Sequence, residues 1–113
     1  MNVLLVDDDP ECLLAVQEEL EVMDHRCIAT NDPRVALAQF ALHDFDLVIT
    51  DYRMPFMTGS ELACKIRTKT PTAKIILLSG YFVTDESPNE SLFHAIIGKP
   101  VDIGELKNIL ERL

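Results

Sequence analysis

The chain has 113 residues, 48% of them hydrophobic and 26% charged, with only four Gly and six Pro, which excludes a disordered or low-complexity segment. Ten basic against nineteen acidic residues give a net charge of −9, which argues against nucleic acid or anionic lipid as partners, because both need clustered Lys or Arg. No apolar run approaches the roughly 18 residues of a membrane span, and Met1-Asn2-Val3 lacks the basic segment and apolar core of a signal peptide, so a cytoplasmic protein is expected.

In chain order, Val3-Leu4-Leu5-Val6 is a continuous apolar run, the mark of a strand buried on both faces. Asp7, Asp8 and Asp9 follow it. Asp9 directly precedes Pro10, with Glu11 in the next turn, and this is the signature of a helix N-cap. The helix that follows places Leu13, Val16, Gln17 and Leu20 on one face and Glu18, Glu19 and Glu21 largely away from it. Arg26–Thr30 is a weaker strand, and Val35, Leu37 and Phe40 mark a second helix.

Leu47-Val48-Ile49 is a second strongly apolar strand, running to Asp51 in "LVITDYRMP". Met54 and Met57 read as loop packing, and Thr58 with Glu61 reads as a capping box. Leu62, Cys64 and Ile66, with Lys65 and Arg67, mark a third helix, and Ile75–Leu78 is a strand reaching Ser79. The polar stretch "GYFVTDESPNES", with Pro88, stands where a fourth helix is due, so that helix is expected to be short, late-starting or partly unwound. Ala95–Ile97 is a weaker strand leading to Lys99 in "GKP", and Leu106, Ile109, Leu110 and Leu113 form a final helical stripe. Cys12, Cys27 and Cys64 have no C-x-x-C spacing and read as reduced packing residues. His25, His43 and His94 are scattered without ligand spacing.

Strand and helix alternate about five times, which predicts an open parallel sheet with helices on both faces. With no internal repeat or linker, residues 1–113 read as one domain. Ligands of such sheets bind at the carboxyl ends of the strands, near the topological switch point. Asp7, Asp8, Asp51, Ser79 and Lys99 all fall there. Two carboxylates about 4 Å apart repel by about 4 kcal/mol at an effective dielectric of about 20. Three together recruit a cation or take up a proton, and hard carboxylate oxygens suit Mg2+. A carboxylate is also a nucleophile toward phosphorus, given alignment and neutralisation by metal, Lys and hydroxyl groups.

The acidic end of "LLVDDD", the "DLVITDYRMPFMTG" segment, the "LLSG" strand and the "GKP" dipeptide together resemble the receiver domains of two-component response regulators, in order and over nearly the whole chain. The resemblance implies a flavodoxin-like, doubly wound five-stranded parallel sheet of order 2-1-3-4-5. It implies that Asp51 accepts a phosphoryl group from a sensor histidine kinase, a phosphotransfer protein or a small acyl phosphate. Asp7 and Asp8 would hold Mg2+, completed by Asp51 and the backbone carbonyl of Arg53. Ser79 would hydrogen-bond the phosphoryl group, Lys99 would pair with Asp51 or its phosphate, and Pro100 would follow Lys99 through a cis bond. Gly80 would leave room for the incoming group. Slow self-dephosphorylation, an output partner and homodimerisation on activation are further implications.

The chain departs from the family pattern at Ile96, where an aromatic switch residue is usual, and in "LFHAII", which lacks the usual glycine-alanine pair before the last strand. Arg53 and Tyr81 occupy positions that tune phosphate lifetime in such domains. Two other readings compete: a receiver fold that signals by docking or dimerisation without phosphate, and a phosphatase of the haloacid dehalogenase type. The latter places its nucleophile after the first strand in D-x-D-x-[TV], where this chain carries Glu11.

Overall fold

The computed structural model describes residues 1–80 and 90–113. Five strands form one parallel sheet: β1 (Asn2–Val6), β2 (Arg26–Thr30), β3 (Leu47–Asp51), β4 (Ile75–Ser79) and β5 (Ala95–Gly98). Their spatial order is β2-β1-β3-β4-β5. Among the described residues, four helices connect or follow them: α1 (Pro10–Val22), α2 (Pro33–Leu42), α3 (Gly59–Lys69) and α4 (Ile103–Arg112). This is the doubly wound, flavodoxin-like sheet expected above. The described part of the β4–β5 connection holds a short 3-10 turn, Glu90–Leu92, and the rest of the stretch where a fourth helix is expected, residues 81–89, lies outside the described residues. The expectations for Tyr81 and Pro88 lie outside the described residues.

Successive side chains of a strand point to opposite faces, and here both faces are covered. Val3 and Leu5 of β1 join Leu47, Ile49, Ile76, Leu78 and Ile97 in one core, closed by Val16 and Leu20 of α1 and Leu106 and Leu110 of α4. Leu4 and Val6 join Val48, Ile75 and Leu77 in a second core, closed by Ala36 of α2 and Leu62, Ala63 and Ile66 of α3. Two covered faces explain why β1, β3 and β4 read as unbroken apolar runs and not as alternating ones. β2 lies at the edge and is only half-buried, which is why its sequence signal is weaker.

Each helix starts with a side chain that satisfies orphan backbone donors. Asp9 accepts from the Glu11 amide at 3.1 Å, as its place before Pro10 predicts. Thr58 and Glu61 form the expected capping box. Asp32 before Pro33 and Asp102 before Ile103 cap α2 and α4 in the same manner. The second Asp-Pro pair, at 32–33, carries the signal used at 9–10.

Two helix-face expectations need correction. Val35 is exposed, and α2 buries Pro33 and Ala36 instead, because small residues let that helix lie close to the sheet. Cys64 is exposed, and Ala63 takes the buried place expected for it on α3. Cys12 and Cys27 do pack against the first core, where burial pushes their thiols up to about 12 and about 11 and keeps them protonated. His25 is half-buried, with Nδ1 2.9 Å from the Met1 amine.

Candidate functional site

The chain leaves β1 toward β2 on one side, while β3 lies on the other. That divergence opens the crevice at the carboxyl end of the sheet. Asp7 follows β1 directly, Asp51 ends β3, Ser79 ends β4, and Lys99 follows β5. The strand registers put these ends side by side, with Asp51 opposite Leu78 and Ser79 opposite Gly98. A backbone bond from the Lys99 amide to the Ser79 carbonyl, 2.9 Å long, holds the last two strand ends together. The Lys99–Pro100 peptide bond is cis.

Asp7 is fully buried, and Asp51 and Ser79 are each 7% exposed. The Lys99 ammonium lies 2.8 Å from Asp7 Oδ2 and 3.3 Å from Asp51 Oδ1, so it bridges the two carboxylates and sits closer to the first. Asp7 Oδ1 accepts the Asp9 amide at 2.9 Å, and Asp51 Oδ1 accepts the Tyr52 amide at 2.8 Å. One oxygen each from Asp7, Asp8 and Asp51 falls within 4.8 Å of the others. Asp8 is exposed, so the pair written side by side in the sequence divides into a buried and an accessible carboxylate.

Burial, and after it the negative charge of Asp7, pushes the Asp51 carboxyl up to about 7, against the opposing pull of Lys99. Asp8 adds to the rise through a side-chain hydrogen bond. Burial works against the Lys99 charge, yet Asp7 and Asp51 outweigh it and hold the ammonium above its usual range. The three carboxylates of the cluster together carry more negative charge than Lys99 neutralises. The donor set suits a hard divalent cation: three carboxylates converge, and buried Asp7 Oδ2 has no hydrogen bond of good geometry beyond its ion-pair contact with Lys99.

Beside the carboxylates, Asp51, Tyr52, Arg53, Ser79, Gly80 and Lys99 line an open cleft of about 190 Å³. A Cβ on Gly80 would meet only the Lys99 side chain, in an ordinary contact at 3.9 Å. Across from it, a Cβ on Gly59 would collide with the backbone carbonyl of Asp51. Glycine at the start of α3 is what allows that helix to approach the end of β3, and the Gly59 amide donates to the Tyr52 carbonyl at 2.7 Å. This role of Gly59 is not legible in the sequence, because a glycine right after a cap residue is common to many helices. The Cys12 thiol of α1 also faces this site closely enough that, after burial, the Asp7 carboxylate adds to its rise.

Ile96 is 37% exposed on β5, beside the site and outside it. Phe93, three residues before Ile96 in the sequence, is buried in the second core and belongs to packing. No helix among the described residues is long and apolar enough to cross a membrane.

Comparison with known proteins places this geometry. The chain matches the response regulator receiver domain family over residues 3–111. Among characterised relatives, it is 35% identical over 86 residues to the response regulator protein FleR of Pseudomonas aeruginosa, covering 76% of this chain and 18% of FleR. It is 42% identical over 67 residues to the virulence sensor protein BvgS of Bordetella pertussis, covering 59% of this chain and 5% of BvgS. The chain thus spans less than a fifth of the length of either relative. Among solved structures, it superimposes on the response regulator protein TrrA of Thermotoga maritima, in complex with Mg2+-BeF, with a TM-score of 0.89, at 32% identity and covering 98% of this chain and 96% of that one. The chemotaxis response regulator CheY4 of Vibrio cholerae gives a TM-score of 0.88 at 26% identity, with 98% and 96% covered. The chain therefore belongs to the family of response regulator receiver domains.

Proposed function

We propose that this chain accepts a phosphoryl group on Asp51 from the phosphohistidine of a sensor histidine kinase or a phosphotransfer protein, and that Mg2+ bound by Asp7, Asp8, Asp51 and the Arg53 carbonyl assists the transfer. The observation that carries the reading is the convergence of three carboxylates within 4.8 Å beside an ammonium 3.3 Å from Asp51. TrrA, the 32%-identical neighbour, has been solved with Mg2+-BeF and in complex with the histidine kinase ThkA, which supports both the metal and the class of partner.

In the transfer, an Asp51 carboxylate oxygen attacks phosphorus, the new O–P bond forms as the N–P bond to the donor imidazole breaks, and the imidazole leaves. The Tyr52 amide and Lys99 orient Asp51 through Oδ1. Lys99 then faces the phosphoryl oxygens across the cleft, where the Ser79 hydroxyl is the second donor. The metal, when bound, supplies charge neutralisation for the transferring group. Hydrolysis of the acyl phosphate by water resets the site, so the domain switches without turning over a separate substrate. Such a domain works beside a kinase's cytoplasmic catalytic part.

Mass spectrometry after incubation with a small acyl phosphate tests the reading. A phosphoryl adduct should form with Mg2+, vanish with chelator and be absent from Asp51→Asn. An equal adduct on both proteins would overturn it.

One observation favours a second reading, docking that does not depend on phosphate. Ile96 offers no ring to swing inward when Ser79 engages a phosphoryl group. Equal partner binding by wild type and Asp51→Asn would support it. The phosphatase reading loses ground, because its nucleophile position, Asp7, is fully buried and held by Lys99.

A further inference from the structure

The loop from Tyr52 to Thr58 carries a feature that the phosphoryl chemistry leaves unexplained. Phe56 has φ of +77°, a left-handed conformation that a bulky side chain rarely adopts, and the residue is 66% exposed. Burial therefore does not hold it there. The guanidinium of Arg34 does, lying 3.5 Å from the ring centroid. Arg34 is fixed in turn by Asp32, through Nε to Oδ1 at 3.2 Å and Nη2 to Oδ2 at 2.9 Å. Asp32 is itself the N-cap of α2. A chain of contacts thus runs from the start of α2 to the loop that follows Asp51.

Met54 and Met57 hold the same loop from the inside by packing on the second core, and the Gly59–Tyr52 backbone bond closes its base. Between these anchors lies Arg53, whose carbonyl is the one proposed metal ligand that no carboxylate side chain supplies. The geometry points to Phe56 and Arg34 as positioning residues for the divalent-cation site: their stack latches the loop so that the Arg53 carbonyl faces Asp7, Asp8 and Asp51. This inference rests on the metal site proposed above.

Mg2+ binding by the unphosphorylated protein tests it, followed by NMR titration of backbone amides, with thermal unfolding in parallel. Electrostatics alone predicts the opposite result for one variant. Removing the positive Arg34 would tighten binding of a cation, whereas losing the latch weakens it. Arg34→Ala and Phe56→Leu should each raise the Mg2+ dissociation constant by about threefold to tenfold, below the usual range for groups that touch a ligand directly. The double variant should be no weaker than either single one, because both break one contact. Phe56→Trp should restore wild-type binding, since indole is the better partner for a cation. Unchanged or tighter binding in Arg34→Ala, additive losses in the double variant, or no recovery with Phe56→Trp would each overturn the latch. A wild-type protein that binds no Mg2+ would instead overturn the metal site on which the latch depends.

Discussion

The two sides of the acidic cluster are built differently. On the β1 side, strand passes to helix within three residues: Asp7 turns back to accept the Asp9 amide, and Asp9 caps α1. On the β3 side, seven residues separate Asp51 from α3, and they need two methionines, a glycine in close contact and an aromatic–guanidinium stack to hold them. The first side is held by hydrogen bonds between near neighbours in the chain. The second is held by contacts between distant segments, so it can be loosened one contact at a time. In the proposed transfer, the local side would hold metal-binding carboxylates, and the other would border the acceptor Asp51.

Perturbations should separate the two sides, and Lys99, which bridges them, should have the largest effect. Lys99→Ala leaves the fully buried Asp7 and the nearly buried Asp51 without their cation. Breaking one partner of such a pair costs about 3 kcal/mol, so urea unfolding at neutral pH without Mg2+ should show a loss of that order. Added Mg2+ should recover part of it. Gly59→Ala strikes the β3 side alone. Its methyl group meets the Asp51 carbonyl, so a loss of about 1–3 kcal/mol is expected, accompanied by slower phosphorylation as the Asp51 backbone shifts. Asp9→Ala strikes the β1 side alone. It should cost about 1 kcal/mol and leave labelling of Asp51 intact.

The pH dependence of stability sharpens the comparison further. Asp51 titrates higher in the folded protein than in the unfolded chain, so the folded state binds more protons between about pH 4 and pH 7. Its contribution is therefore greatest in acid and is lost as pH rises through that window. Unfolding of the metal-free protein at several pH values should show Asp51→Asn gaining on wild type toward pH 8. Saturating Mg2+ should erase the difference in slope.

Much of this arrangement is legible in the sequence because it is local. The apolar runs of β1, β3 and β4 name their own burial, and Asp9-Pro10 and Thr58…Glu61 name two helix starts. The resemblance to receiver domains names the residues at the strand ends. What stays hidden depends on contacts between distant segments. Nothing in "DDD" says that Asp7 is sealed under Lys99 while Asp8 remains exposed, since that follows from which way each side chain points at the end of β1. Nothing around Phe56 announces a left-handed residue, because its partner Arg34 lies 22 positions away. Cys64 misleads for the same reason. Its neighbour Ala63 is the residue that faces the sheet, and only the angle at which α3 packs decides between them.

The most direct measurement is to locate the phosphoryl group. After Mg2+-dependent reaction with a small acyl phosphate, the acyl phosphate is reduced chemically and the modified residue is identified by peptide sequencing. Modification is expected at Asp51 alone, in the peptide that carries Tyr52 and Arg53. Modification at Asp7 or Asp8, or none in a folded, Mg2+-bound protein, would contradict it.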